Sequence, residues 1–191
     1  PILNKSDFQN NIENLLSDGF SKKNTYISST SGSSGAPFFF AKDKYCHSLS
    51  WANIINRYQK LGIRFRAPEA RFYGIPLDEK QYKIEILKDF FMNRVRFKIF
   101  DLSDPAMRDF VILLNKKRYV YIYGYTNSIV AFAKYIIRNN ISIKDVCPSL
   151  KLIIVTSELL FHDDRKLLVN AFKLPVYSEY GSSEFGYIGK E

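Results

Sequence analysis

Two segments gather hydroxyls, glycines and backbone amides at spacings that suit phosphate chemistry. Ser29-Thr30-Ser31-Gly32-Ser33-Ser34-Gly35-Ala36-Pro37 carries five hydroxyls and two glycines three positions apart. Glycine permits backbone angles other residues avoid and lets a ligand approach closely. Exposed N–H groups beside hydroxyls make an anion-binding concavity. The segment is not a Walker loop, because the Gly-Lys-Ser/Thr ending is missing. An arbitrary Ser/Gly cluster is most often a linker. This one follows Tyr26-Ile27-Ser28, which reads as a strand, and precedes Pro37 and three phenylalanines, Phe38–Phe40. That position weakens the linker reading without removing it. The second segment is Tyr180-Gly181-Ser182-Ser183-Glu184. A carboxylate beside hydroxyls can hold Mg²⁺ while the metal binds phosphate oxygens, although an ordinary surface turn has the same composition. Thr156-Ser157-Glu158 fits a helix-entry cap equally well.

Other chemistries find little support. His47 sits beside Cys46 with no partner pair at metal-ligand spacing. His162-Asp163-Asp164 reads as a helix start, where acids suit the dipole. There is no Gly-x-Ser-x-Gly elbow, His-Glu-x-x-His or Cys-x-x-Cys. Two cysteines, Cys46 and Cys147, make no disulfide framework and fit a reducing compartment, so a cytoplasmic location is expected. The net charge of +9 allows an anionic partner. The basic residues are spread along the chain, and the densest run, Lys116-Lys117-Arg118, is three long. With no aromatic single-strand-binding signature either, nucleic acid is not an expected partner. No apolar stretch approaches the roughly 20 residues a membrane span needs, and no secretory signal is visible at the start.

The elements that must position these segments alternate. Ser6 is a cap candidate for a helix to about Leu16, and a second helix is expected from about Asp43 to Lys60. Ala70–Ile75 and Arg94–Phe100 read as strands. Ser103-Asp104-Pro105 is a helix start with Pro in the first turn, followed by Met107, Phe110, Val111 and Leu114 at helical spacing. Arg118–Tyr123 reads as a strand ending at Gly124, and Asn127 or Ser128 as the cap of the next helix. Leu150–Thr156 is a buried-type strand, His162–Phe172 a helix and Val176–Glu179 a last strand. The stretches Phe38–Phe40 and Tyr119–Tyr125 read as core strands. Alternation of this kind predicts an α/β fold with a mostly parallel sheet flanked by helices. Ligands in such sheets collect outside the carboxyl ends of the strands. Ser28–Pro37, Thr156–Glu158 and Tyr180–Glu184 all sit where strands are expected to end, so one crevice lined by all three is expected.

The combination of motifs resembles the adenylate-forming superfamily of acyl-CoA synthetases, luciferases and peptide-synthetase adenylation domains. Thr30-Ser31-Gly32-Ser33-Ser34-Gly35-Ala36-Pro37 resembles its phosphate-binding signature. Gly124-Tyr125-Thr126-Asn127-Ser128 resembles its Gly-Tyr-Pro-Ser-type segment. Leu152–Leu160 resembles its strand and turn ending in a Gly-Glu or Ser-Glu step. Tyr180-Gly181-Ser182-Ser183-Glu184-Phe185-Gly186 resembles its Tyr-Gly-x-Thr/Ser-Glu-x-Gly motif. The order is the family's, over about Tyr26 to Gly189, and the branch it most resembles is the phenylacetate–CoA ligase-like one, especially members linked to capsular polysaccharide biosynthesis.

The resemblance implies ATP-dependent activation of a small-molecule carboxylic acid as an acyl-adenylate, with Mg²⁺ bound and coenzyme A a candidate acyl acceptor beside a sugar, an amine or a carrier protein. It implies that Thr30, Ser31, Gly32, Ser33, Ser34 and Gly35 cradle the leaving phosphates and that Glu184 holds Mg²⁺. Ser157, Glu158, Tyr180, Gly181, Ser182 and Ser183 would lie against adenine and the α-phosphate, and Tyr125 would line the acyl pocket. Two departures stand out: Phe38 follows the loop Pro where many members have Lys, and Thr126 follows Gly124-Tyr125 in place of Pro. The chain stops soon after Glu184, before the family's ribose-binding Asp, hinge and C-terminal lid domain with its catalytic Lys. The expectation is a single α/β piece of the large N-terminal domain, residues 26–101 carrying the phosphate loop and 102–191 the alternating half. It is expected to be inactive alone, with no catalytic residue assignable in it. The alternative is a non-catalytic descendant acting as an interaction or carrier-binding module.

Overall fold

A computed structural model of the chain describes residues 6–7, 12–30, 38–74 and 79–191. The loop positions Ser31, Gly32, Ser33, Ser34 and Gly35, and residues 8–11 of the first helix expected from Ser6, lie outside these residues; Ile12–Leu15 of that expected helix form a short 3-10 turn. The chain falls into two compact units, Pro1–Lys60 with Gly181–Ile188, and Leu61–Tyr180 with Gly189–Glu191.

The main sheet has six strands. Its strands are β3 (Glu69–Phe72), β4 (Arg94–Arg96), β5 (Tyr121–Tyr125), β6 (Leu152–Thr156), β7 (Val176–Ser182) and β8 (Gly186–Lys190), in the order β4-β3-β5-β6-β7-β8. The pairs β3–β4, β3–β5, β5–β6 and β6–β7 are parallel. The expected fold class, α/β with a mostly parallel sheet flanked by helices, is therefore the one observed.

Helix α2 (Glu79–Phe91) joins β3 to β4, α3 (Asp104–Lys116) joins β4 to β5, and α4 (Thr126–Arg138) with the short α5 (Ile143–Val146) joins β5 to β6. Helix α6 (His162–Phe172) joins β6 to β7. Parallel crossovers are right-handed. The chain steps one way from β3 to β4 and the other way afterwards, so α2 belongs on the face opposite α3, α4 and α6. Packing agrees. Met107, Phe110 and Leu114 of α3, Ile129, Phe132 and Ile136 of α4, and Leu168 and Phe172 of α6 share one core with Ala70, Phe72, Ile122, Ile153 and Val155 of the strands. Phe72 stacks on Phe97 at 4.6 Å and meets Phe110 edge-on at 5.5 Å.

Gly124 does not end its strand, as the sequence suggested; it lies inside β5, opposite Phe72. A Cβ there would stand 2.0 Å from the Phe72 carbonyl oxygen, so only glycine allows β3 and β5 to pair along their full length. Strand β4 is shorter than expected: the Phe97 N–H still donates to the Arg71 carbonyl at 2.9 Å, and the chain then turns away.

The smaller unit holds an antiparallel hairpin of β1 (Thr25–Ser29) and β2 (Phe39–Asp43), then α1 (Lys44–Lys60). Asp43 opens α1 by accepting the Cys46 N–H at 2.6 Å, a capping bond. Phe39 and Phe40 are half-buried, not core as expected, because a two-stranded hairpin covers only one face at best. Among the described residues no helix is long and apolar enough to cross a membrane.

Candidate functional site

In doubly wound sheets the crevice forms where strand order reverses, outside the carboxyl ends. Here the reversal lies between β3 and β5. The residues at those ends are Tyr73, just past β3, and Tyr125, the last of β5. Their rings lie 4.2 Å apart. The Tyr73 phenol is 3.5 Å from the Ser157 hydroxyl, just past β6. The switch point thus brings together Tyr125 and Ser157, both expected from the sequence, and adds Tyr73, which was not. Its signal was a Tyr-Gly step closing a strand, legible only once strand order is known.

Beneath this edge the same sheet face is polar. The Arg71 guanidinium lies over the rings of Tyr73 and Tyr123 at 4.9 and 4.8 Å and donates to Glu69 Oε1 at 2.7 Å. Tyr121 donates to Glu69 Oε2 at 2.7 Å. Burial, with the Glu69 carboxylate next, pushes the Tyr121 phenol far up, and burial does the same to Tyr123. Tyr125 is pushed up to about 12, by burial first and by Tyr73 and Glu158 after it. All three phenols are therefore neutral hydrogen-bond donors at neutral pH.

Helix α4 begins at this edge. Neither Asn127 nor Ser128 caps it with its side chain, and Tyr125 occupies the N-cap position. The cap comes from another strand end. Glu158 accepts the Asn127 backbone N–H at 2.7 Å and the Asn127 Nδ2 at 3.0 Å, and the Thr126 hydroxyl donates to the Glu158 carbonyl at 3.0 Å. A carboxylate at a helix N-terminus is favoured by the dipole and the unpaired amides. The cap reading of Thr156-Ser157-Glu158 thus holds for α4, not for the helix that follows. Ser157 reaches this position with φ +68°, a left-handed conformation costly for a residue with a Cβ. Such strain collects at ligand sites.

The remaining expected positions lie at the end of β1 and around the β7–β8 turn. Thr30 closes the mouth of the serine-rich loop: its N–H donates to the Phe38 carbonyl at 2.9 Å and its hydroxyl accepts the Phe38 N–H at 3.0 Å. Strand β7 runs beyond the expected Glu179 and takes in Tyr180, Gly181 and Ser182. Tyr180 is exposed. Ser183 and Glu184 form the turn into β8, where Ser182 accepts the Phe185 N–H at 3.1 Å and Lys42 donates to the Ser183 carbonyl at 2.8 Å. Gly181 is needed here because a Cβ would sit 2.5 Å from the Gly186 carbonyl oxygen. Glu184 is half-buried. No cluster of three or more His, Cys, Asp or Glu able to hold a metal occurs among the described residues, so a metal at Glu184 would take its other ligands from a bound nucleotide and water. Mg²⁺ accepts that arrangement, commonly using one or two carboxylates plus substrate phosphates. Of the histidines, His47 lies tilted against Tyr26 with ring centres 4.3 Å apart, and His162 opens α6.

No family model matches the sequence, and no curated protein matches it. Solved structures share the fold. An open conformation of 2-hydroxyisobutyryl-CoA ligase in complex with 2-HIB-AMP and CoA is 14% identical, with a TM-score of 0.61 over 97% of this chain and 44% of that one. MatB from Rhodopseudomonas palustris is 14% identical, with a TM-score of 0.58 over 86% of this chain and 30% of that one. VinN in complex with L-aspartate is 17% identical, with a TM-score of 0.58 over 86% of this chain and 38% of that one. The chain thus spans less than half the length of these proteins. At such identities the likeness defines the fold, and it is the fold that the resemblance to adenylate-forming ligases implies.

Proposed function

We propose that this chain is the nucleotide- and acid-binding part of an enzyme that activates a carboxylic acid with ATP. The observation that carries the reading is the strand-order reversal with Tyr73, Tyr125, Ser157 and the Glu158-capped start of α4 gathered at it. A carboxylate oxygen of the acid attacks the α-phosphorus, the bond to the bridging oxygen breaks, and pyrophosphate leaves with that electron pair. Such a transfer needs positioning and charge neutralisation more than covalent help from the protein. The activated acyl group then passes to coenzyme A or another nucleophile. In this reading Thr30 and the hydroxyls and amides of Ser31–Gly35 hold the β- and γ-phosphates. Ser157, Glu158 and the Tyr180–Ser183 backbone lie against adenine and the α-phosphate, and Tyr125 walls the acyl group. Glu184 would hold Mg²⁺, which neutralises phosphate charge when bound. The motif order supports the phenylacetate–CoA ligase-like branch, with a capsular polysaccharide role as its narrowest form, and two free cysteines fit a cytoplasmic setting. In this reading the chain alone binds nucleotide and turns over little.

Calorimetric titration with Mg·ATP and with AMP tests this. Saturable binding of both is expected, and Glu184→Ala is expected to weaken Mg·ATP and leave AMP unchanged. Equal weakening of both would remove the metal role from Glu184. Absence of binding by either ligand, in this chain and in one extended past Glu191, would overturn the nucleotide reading.

A further inference from the structure

The amino edge of the main sheet, at the end opposite the switch point, gathers cations. Arg64 and Arg66 precede β3, Lys116, Lys117 and Arg118 precede β5, and Lys151 precedes β6. Hydrogen bonds hold these strand entries together. Asn93, just before β4, donates from Nδ2 to the Arg66 carbonyl at 3.0 Å and accepts from Lys117 Nζ at 2.6 Å. The Val120 N–H donates to the Pro68 carbonyl, and the Lys151 N–H to the Val120 carbonyl, both at 2.8 Å. Arg64, Arg66, Lys116, Arg118 and Lys151 are exposed, and among the described residues no carboxylate pairs with any of them. Clustered charge of one sign attracts an anionic partner across about a Debye length.

Apolar side chains stand beside these cations. Phe65 lies between Arg64 and Arg66 and is 55% exposed. The Asn93 N–H donates to the Phe90 carbonyl at 3.2 Å, which brings the end of α2 to the same edge. Along α2, Lys80, Ile84, Leu87 and Phe91 follow at i, i+4, i+7 and i+11, the spacing of one helix face, and all four are exposed. The acids on this helix leave the edge uncancelled: Glu79 and Glu85 face Lys83 and Lys88, and Asp89 faces Arg94 and Arg96. A basic rim with an apolar helix face beside it is the pattern of a surface that lies in a lipid interface.

The apolar part separates a bilayer from a nucleic acid. Single strands are held by cations along a groove with aromatic rings offered for stacking. Here the exposed helix face continues into Ile84 and Leu87, aliphatic side chains that stack on no base and dissolve readily at the boundary between headgroups and acyl chains. We propose that the amino edge and the outer face of α2 dock on an anionic lipid bilayer. The cations meet the headgroups, Phe65, Leu87 and Phe91 enter the interface, and the switch point stays at the far end of the sheet. The inference does not depend on the acid-activating reading.

The test is flotation of the full chain with vesicles of phosphatidylcholine containing about one third phosphatidylserine, beside pure phosphatidylcholine vesicles. Binding to the anionic vesicles alone is expected, with loss at high salt. Arg64→Glu with Arg118→Glu should weaken it roughly 25-fold or more, since each cation contributes roughly fivefold. Lys134→Glu with Lys166→Glu, on α4 and α6, makes the same change in net charge away from this edge and should leave binding nearly unchanged. Phe91→Ser, at an exposed position that does not load the core, should weaken binding roughly tenfold and leave its salt dependence in place. Equal weakening by the two charge variants would assign the attraction to diffuse net charge and overturn the docking edge. No binding, or equal binding to both kinds of vesicle, would overturn the proposal outright. So would duplex DNA displacing the chain from vesicles of matched charge. A dimer by sedimentation that Phe91→Ser dissociates, without vesicle binding, would give the face to a second copy instead.

Discussion

The two faces of the central sheet solve the burial problem differently, and strand β3 shows both. Ala70 and Phe72 turn to the face packed under α3, α4 and α6, where the partners are other apolar side chains. Glu69 and Arg71 turn to the opposite face, where each charge has a named partner: Tyr121 and Arg71 on Glu69, and Glu69 with two tyrosine rings on Arg71. Near the edge, Arg94 and Arg96 share Asp89. An apolar face is specified by shape and volume, whereas a buried polar face holds only while every group is paired. The first face supplies a rigid floor. The second can offer neutral phenols and a guanidinium to a ligand at its carboxyl edge.

The sharpest break of this division lies where the faces share a backbone. Gly124→Val places a side chain against the Phe72 carbonyl, and a loss of roughly 4 kcal/mol or more is expected in urea unfolding. A loss under about 1 kcal/mol would mean that β3 and β5 can part without cost. On the polar face, Asp89→Ala takes the Asp89 carboxylate from Arg94 and leaves Arg96 with Glu85 and the Gly74 carbonyl, and a loss of about 3 kcal/mol is expected. A near-neutral result would show that face to be as tolerant as a surface.

A pH scan probes the buried phenols without mutation. The phenols of Tyr119 and Tyr125 are raised from 10.0 to about 12 by burial, and Tyr121 and Tyr123 are raised further. A phenol with a raised folded pKa contributes stability that is complete below the unfolded value and lost as pH climbs through the folded one. Unfolding free energy is therefore expected to show no tyrosine-linked change below about pH 10 and to fall between 10 and 12. A tyrosinate absorbance step near pH 10 that accounts for all thirteen tyrosines with the fold intact would contradict the burial of these rings. The smallest effect is expected at the strained edge. Ser157→Gly should raise stability by about 1 kcal/mol by removing the left-handed cost, and a lower melting temperature would show that the serine hydroxyl matters more than its backbone.

Much of the apolar face was legible in the sequence. Met107, Phe110 and Leu114 repeat at helical spacing, and the run Leu152–Val155 reads as a buried strand because it is one. Helix α2 was not legible, since Tyr82, Ile84 and Ile86 alternate as a strand would and α2 lies outside the main core. Strand β8 was hidden by Gly186 and Gly189, which weaken any strand pattern. For the site, the strand-end reading picked out the polar segment Thr156–Glu158, and the family resemblance supplied Tyr125 and the ligand roles of Ser157 and Glu158. Tyr73 and the transfer of the Glu158 cap to α4 depend on which strands are neighbours, and strand order is not a local property of the chain.

In the proposed reading, the carboxyl edge between β3 and β5 binds nucleotide and acid. The most direct measurement is a titration of the ¹⁵N-labelled chain with AMP, followed by amide chemical shifts. Saturable shifts are expected, concentrated at Tyr73, Tyr125, Asn127, Ser157 and Glu158, with the interior of α3 and α6 unmoved. Shifts absent from these five amides while AMP binds elsewhere in the chain would contradict it.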